Sequence, residues 1–322
     1  MYENSTVKSG RTDAWILTGA TATGKTSVCQ LLAARLHAGI ISADSMLVYK
    51  GMDIGTAKPT RKERGSAPCY GIDLTTPDQP FSTGAWIRAT RNALTKAASD
   101  TRQPPHLIVT GGTGLYIKAL TSGIDSAPVY PERRAYWNDF LAKNGLPALM
   151  NQLEHRMDPA LINFPDPSNS RRIIRALEHL DANGKLPDNW GTDQHKPAII
   201  TLTMPRHQLH IRIRDRVKQM FEQGLPEEVR NLKSTYSNWS ATAAKAIGYQ
   251  ETLAMLDGRL TQADAIERIT IRTRQLAKRQ ETWFRHQQNT IWCEIELSDC
   301  IEEIARKVLF LWDKYGKTEL KI

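Results

Sequence analysis

The sequence has no long hydrophobic run. Its longest unbroken stretch of bulky apolar side chains is Val308–Trp312, far short of the ~20 residues that a membrane-spanning helix needs. The first residues, MYENSTVKSGRTD, hold no apolar block of the secretory kind, and Glu3 and Asp13 set them apart from acid-poor transit peptides. Residues 1–13 therefore read as a disordered lead-in, and the chain is expected in the cytoplasm, off the membrane. Cysteine is scarce: Cys29, Cys69, Cys293 and Cys300 are four in 322 residues, and no two have zinc or C-x-x-C spacing. That excludes a disulfide framework and a dithiol redox motif as organising features. The eight histidines show no ligand spacing either, so no protein-held zinc is expected. Acid is in deficit. Asp and Glu number 34 against 43 Lys and Arg, which leaves a net charge of +9. A basic chain suits a polyanionic partner, although charge alone does not say which.

What is present is a globular composition, 40% hydrophobic and 24% charged, with enough length for one large or two smaller domains. Ala14–Thr18 is a short apolar run that ends at a glycine, Lys25–His37 has helical periodicity, and Gly39–Asp44 is a second short strand pattern. Ser82 is a plausible cap for the next helix, and His106–Thr110 is a third buried strand pattern closed by two glycines. Strand and helix alternating at this spacing predict a parallel sheet covered on both faces. From about Thr121 to Pro197 the pattern turns helical and proline-punctuated, and Ala198–Met204 then reads as strand again. The expected fold is α/β: a P-loop NTPase-like parallel core formed by residues 14–120 and 198–322, interrupted by a mainly helical insertion at 121–197. One late strand, Thr290–Leu297, and a final helix carrying Leu309 and Trp312 are expected to close the core.

The sharpest motif is Gly19-Ala20-Thr21-Ala22-Thr23-Gly24-Lys25-Thr26, a match to G-x-x-x-x-G-K-[ST] between a strand and a helix. Free N–H groups and the dipole at that helix start attract a phosphate. Lys25 adds a point charge, and the Thr26 hydroxyl is a candidate ligand for Mg²⁺. The loop implies a polyphosphate without specifying it. The strand where P-loop enzymes usually carry a magnesium-binding Asp ends here in Thr110 and glycines. The acid stands instead at the end of the second strand, as Asp44, where an open α/β sheet binds its ligands. Asp44 is either a general base or simply a turn or cap residue.

Six blocks in order resemble a known family: GATATGKT, ISADSMLVYKGMDIGTAKP at Ile41–Pro59, GGTGLYIKAL at Gly111–Leu120, SRRIIRALE at Ser170–Glu178, AIGYQE at Ala246–Glu251 and TRQLAKRQETWFRHQ at Thr273–Gln287. All resemble the tRNA dimethylallyltransferases of bacterial type. The resemblance implies transfer of a dimethylallyl group from dimethylallyl diphosphate to N6 of the adenosine that follows the anticodon, with tRNA (through its anticodon stem-loop) as partner and Mg²⁺ as cofactor. A monomer is expected. It implies that Gly19–Thr26 holds the diphosphate and that Asp44 is the base, with Asp44, Ser45, Met46 and Leu47 against the target nucleotide. Thr113 falls in the adenosine channel. Arg171, Arg172, Ile173, Ile174 and Arg175, and Lys245, Ala246, Ile247, Gly248, Tyr249 and Gln250, match tRNA-touching segments. Arg212 or Arg216 matches an arginine that grips the diphosphate, with no choice between the two. The chain departs from the family at Ala20, Thr23 and Leu47, where Pro, Ser and a polar residue are usual.

Arg268–His286 contains six Lys or Arg and one acid, Glu281. Ile266, Ile269, Thr273, Leu276, Ala277, Trp283 and Phe284 form one stripe at helical spacing, which reads as core, with basic residues on both flanks. Those flanks are either a solvated face or a seat for a phosphate backbone. Three other readings share part of this pattern: a P-loop kinase, an adenylate isopentenyltransferase acting on a free nucleotide, and a nucleotide-gated RNA-binding module without transfer chemistry.

Overall fold

The computed structural model describes residues 12–98, 106–123, 130–157, 168–186 and 197–321. Most of the expected lead-in, residues 1–11, lies outside the described residues, as do the insertion's Pro128, Pro159, Pro165 and Pro167. The chain divides into two compact units, residues 1–123 with 196–322, and residues 124–195.

The first unit begins with β1 (Thr12–Gly19), α1 (Lys25–Leu36) and β2 (Ala38–Ser42). A single turn, α2 (Arg61–Arg64), leads to the two-residue β3 (Cys69–Tyr70), followed by α3 (Thr83–Ala98), β4 (His106–Gly111) and α4 (Gly114–Thr121). The second unit supplies α5 (Pro131–Glu154) and α6 (Ser170–Asn183). The chain returns to the first unit with β5 (Ala198–Thr203), α7 (Arg206–Glu222), α8 (Leu225–Thr235), α9 (Tyr249–Leu256), α10 (Gln262–Gln287), β6 (Asn289–Glu294), α11 (Ile301–Tyr315) and β7 (Thr318–Leu320).

The sheet runs β3-β2-β4-β1-β5-β6, parallel throughout, with β7 added antiparallel to the start of β1. β1 sits centrally with Leu17 opposite both Thr110 and Ile200. Ile16, Leu17, Ile41, Ile108, Val109, Ile199 and Ile200 are buried, as strands covered on both faces require. Val28, Cys29, Leu32 and Ala33 bury one face of α1, and a fully buried Val or Leu side chain contributes about 1.5–3 kcal/mol. On α3 and α4, Trp86 stacks on Tyr116 with ring centroids 4.2 Å apart.

Two elements differ from their sequence expectation at the chain's ends. Thr12 and Asp13 are strand, not lead-in, because Thr12, Asp13 and Ala14 pair with Leu320, Glu319 and Thr318 of β7. The late strand stops at Glu294, and Glu296 N–H is instead taken by the Asp299 carboxylate in a turn that starts α11. In the second unit α5 and α6 pack around Trp137, Leu149, Leu153, Ile173, Ile174 and Leu177. α5 is two helical segments broken at Gly145, whose φ of 78° precedes Pro147, as a proline inside a helical run demands.

Candidate active site

The loop between β1 and α1 wraps the helix start. Gly24 sits at φ 88°, a left-handed conformation that glycine takes without strain. Thr23 Oγ1 donates to Ala20 O over 2.9 Å, and Lys25 Nζ donates to the same carbonyl over 3.1 Å. Ala20, Ala22 and Thr23 are buried, so they contribute backbone rather than side chain to any ligand. Lys25 is half-buried, and desolvation pulls its ammonium down to about 8, with Asp44 opposing that pull and Arg216 reinforcing it. Arg216 is likewise pushed below its ordinary value by burial, with Asp44 raising it and Arg212 lowering it. Three cations crowded in a partly dehydrated cleft define a site for an anion.

Both candidate arginines stand on α7, one turn apart. The Arg216 guanidinium donates to Thr21 Oγ1 at 3.5 Å and to Thr56 O at 3.4 Å. Arg212 lies along the outside of the loop, with Nη2 3.2 Å from the position a Cβ would take on Gly24. Three cavities meet here. An inner one of about 80 Å³ is lined by Lys25, Thr26, Cys29, Asp44, Leu47, Thr110 and Arg216 among others. An outer one of about 700 Å³ follows Gly24, Lys25, Thr26, Arg212 and Arg216. A third, of about 280 Å³, is lined by Asp44, Ser45, Met46, Thr113, Lys245, Ala246, Ile247, Arg272 and Arg279. Arg216 lines all three, and Asp44 lines the inner and the third.

Asp44 lies two residues beyond β2. Its Oδ1 accepts the Met46 N–H over 2.9 Å, which makes it a turn residue. The same carboxylate faces two cavities, so the turn holds it there rather than using it up. Thr113 Oγ1 accepts the Ser45 N–H over 3.0 Å and fastens the Asp44–Met46 turn to the glycine-rich stretch after β4. Leu47, expected beside the nucleotide, is buried and lines the inner cavity instead.

As for Mg²⁺, the residues present fit a cation that binds through few protein ligands. Thr26 and Asp44 line one cavity, and Asp44 is its one carboxylate among the described residues. No group of three or more His, Cys, Asp or Glu that could hold a metal unaided occurs among them. A hard ion that keeps its waters and takes phosphate oxygens suits such a sparse set.

The expected tRNA segments divide. Lys245 and Gln250 are exposed, and Lys245 lines the third cavity. Tyr249 is fully buried, with its hydroxyl donating to Glu228 over 2.7 Å, so its side chain is unavailable to RNA. Gly248, at the start of α9, is buried as well, and its N–H donates to Glu251 over 3.0 Å. On α6, Arg171 and Arg172 are exposed. Ile173 and Ile174 are core of the second unit, and Arg175 is paired with the buried Glu178 over 3.0 Å, so these three side chains serve packing.

Three supporting residues escaped the sequence reading. Gln280 accepts the Thr21 N–H over 2.8 Å and donates to Gly112 O over 3.0 Å, tying the phosphate loop to α10. A Cβ on Gly112 would stand 2.2 Å from that amide, so any larger residue there would displace the Gln280 side chain. Glu228 collects the N–H groups of Asp53, Ile54 and Gly55, and buried Lys58 joins Asp53 and Asp73 to Tyr49 O. Together these pin the loop that carries Thr56 over the site. Trp283 packs over Gly114 and Phe284 is fully buried, as the stripe on α10 predicts.

Comparison with known proteins places the chain in a family. The family described as IPP transferase matches residues 47–287. The tRNA dimethylallyltransferase of Pelotomaculum thermopropionicum is 38% identical over 299 residues, covering 91% of this chain and 94% of that one. That of Bacillus licheniformis is 38% identical over 300 residues, with coverage of 91% and 94%. The crystal structure of a tRNA isopentenylpyrophosphate transferase from Bacillus halodurans superposes with a TM-score of 0.67 at 33% identity, covering 94% of this chain and 96% of that one.

Proposed function

The chain belongs to the IPP transferase family, and on that premise we propose that it moves a dimethylallyl group from dimethylallyl diphosphate to N6 of adenosine 37 of tRNA, next to the anticodon. Diphosphate is the second product. The observation that carries this reading is the position of Asp44, which lines both the inner cavity and the cavity bordered by Thr113 and Lys245. A base there stands between a donor in one and an acceptor in the other.

In this reading the diphosphate lies where Lys25, Thr26 and Arg216 converge, the short hydrocarbon chain enters the inner cavity, and the adenine comes in past Thr113. As the C–O bond to diphosphate breaks, negative charge grows on the leaving oxygens. Lys25, Arg216 and the α1 amides are already oriented to meet it. Thr26 would hold Mg²⁺, which would supply further charge neutralisation for the leaving group. The negative charge of a bound diphosphate also favours the charged form of Lys25. The exocyclic amine of adenine is a weak nucleophile, and Asp44 accepts its proton as the C–N bond forms. Asp44 is held for that task through Oδ1. A purine must leave its stack to reach such a site, which is easiest in a single-stranded loop. The exposed Lys278 and Arg279 on α10 suit the phosphate backbone around it. No helix among the described residues is long and apolar enough to cross a membrane. The reading has the enzyme act in the cytoplasm as a monomer.

The test is to incubate the protein with radiolabelled dimethylallyl diphosphate or γ-labelled ATP, and with tRNA or AMP. Label passing from the prenyl donor to tRNA supports the reading. Label on AMP alone, or phosphate transfer from ATP, replaces it with one of the other P-loop activities.

A further inference from the structure

The donor's hydrocarbon tail has one place to go. The inner and outer cavities share Lys25, Thr26 and Arg216, so the diphosphate sits where they join and the tail points into one or the other. The outer cavity is bordered by Asp53, Lys58, Glu63, Arg212 and Asp215, charged groups that an apolar chain could desolvate only at a cost. The third cavity is taken by the adenine. The inner cavity is the smallest of the three, about 80 Å³ against about 700 and 280 Å³.

The rest of the inner wall is largely apolar. Cys29, Ile40, Leu47, Cys69 and Ile72 line this cavity and neither of the others. Burial pushes both thiols up, Cys29 to about 12, so they stay neutral and pack as small hydrophobes. The Cys29 thiol is hydrogen-bonded with the Thr110 hydroxyl, which therefore offers nothing to a ligand. Ile40 and Cys69 are register partners on the parallel strands β2 and β3 and so share one face of the sheet. Leu47 and Ile72 stand in the loops that follow those two strands. The loops are tied together, with Asp73 N–H donating to Leu47 O over 3.0 Å.

Resting on the prenyl-transfer reading, we propose that Leu47 and Ile72 are the stop that holds the donor to a single isoprene unit, so that shortening either one opens the site to a ten-carbon allylic diphosphate. The reaction balances for the longer chain as for the shorter. The C1–O bond breaks with its electron pair leaving on diphosphate, the C1–N6 bond forms, and the amine proton goes to Asp44. Leu47 and Ile72 are specificity residues here, acting on the tail and not on the reacting carbon. Leu→Ala and Ile→Ala each delete three carbons, and packed neighbours close only partly over such a gap. Engineered apolar cavities of roughly 150 Å³ stay dry and bind benzene, a molecule close in size to one further isoprene unit.

The experiment measures kcat/KM of the full-length protein, with Mg²⁺ and saturating tRNA, for dimethylallyl and for geranyl diphosphate, with the modified nucleoside identified by mass. The readout is the ratio of geranyl to dimethylallyl transfer. One methylene too many in a fitted pocket is worth roughly 10–200-fold, so the wild type should disfavour the longer chain by about a hundredfold or more. Leu47→Ala and Ile72→Ala are each expected to raise the ratio at least about tenfold, the low end of that range. Leu47→Met, which conserves volume, should leave it as it is. A merely structural role would lower both donors alike and leave the ratio unmoved. Ile72 is half-buried, so its truncation is the gentler of the two, and it decides the matter if the Leu47→Ala protein fails to fold. A wild type that uses both chains about equally overturns the inference while leaving the prenyl-transfer reading standing. So does an unchanged ratio in either alanine variant that folds. Transfer of neither donor by the wild type removes the underlying reading, and this inference with it.

Discussion

Gln280 offers a test of how the phosphate loop is held, because it reaches the loop from another element. Its side-chain amide makes two hydrogen bonds, one from Thr21 N–H at 2.8 Å and one to Gly112 O at 3.0 Å. Gln280→Ala removes both. Each neutral bond contributes about 0.5–1.5 kcal/mol net, so the two together are worth about 1–3 kcal/mol. At roughly 2–4 °C per kcal/mol for domains of 150–250 residues, the melting temperature should fall by several degrees. Thr21 also carries the hydroxyl that receives Arg216, so a loosened loop disturbs the diphosphate grip. A loss of about 1.4 kcal/mol in donor binding is a tenfold rise in donor KM. The rate at saturating donor should change much less, since Asp44 is anchored separately through Met46 and Thr113. Gln280→Glu separates the two bonds: it still accepts from Thr21 but cannot donate to Gly112 O, and it brings a negative charge towards the diphosphate. Its donor KM should rise at least as far as that of Ala. Thermal unfolding and steady-state kinetics at varied donor measure both effects. A Gln280→Ala protein with wild-type melting temperature and wild-type donor KM would refute the latch.

The remaining predictions concern charge. Lys25 is pulled to about 8 by burial, so in the free enzyme its ammonium is present below that pH and lost above it; donor affinity should therefore weaken as pH rises through about 8, and Lys25→Ala should abolish that dependence along with most activity. Arg216 lines all three cavities and Arg212 only the outer one, so Arg216→Ala should cost at least tenfold more in kcat/KM than Arg212→Ala, measured side by side. Affinity for tRNA should fall steeply with salt, and Lys278→Ala with Arg279→Ala should flatten that slope by about two phosphate contacts. Arg272 is a poorer probe, because it is bound to Glu251 and reaches Gln250 and Lys245 O, so its loss also disturbs the turn before α9.

Much of the catalytic half of the site was legible in the sequence, because the signals are local. The Gly19–Thr26 spacing, the strand before it and the acid at the end of the next strand each follow from a few consecutive residues. What was not legible depends on distant partners. Gln280 lies 259 residues from Thr21, and nothing in its neighbourhood marks it as a latch. Glu228 looks like a surface acid on a helix, yet it gathers three amides of another loop. β7 is three residues long and has no pattern of its own, and it forms because the start of β1 offers an open edge. Block matching went furthest astray at Ile173, Ile174 and Tyr249. A segment that touches RNA also has a side facing inward, and helical periodicity alone separates Arg171 and Arg172 from the two isoleucines between them and Arg175.

The central claim is that Asp44 takes the proton from adenine N6, and Asp44→Asn tests it most directly. Asn can still accept the Met46 N–H and hold the turn, so the variant should fold and bind donor through the untouched phosphate loop. It cannot act as a base, and general bases contribute about 10²–10⁴-fold to rate. Single-turnover transfer at saturating donor and tRNA removes binding defects from the comparison. The account predicts a rate reduced roughly 10²-fold or more, with the melting temperature near that of the wild type. A rate within a few-fold of the wild type would contradict it and leave Asp44 as a turn residue alone.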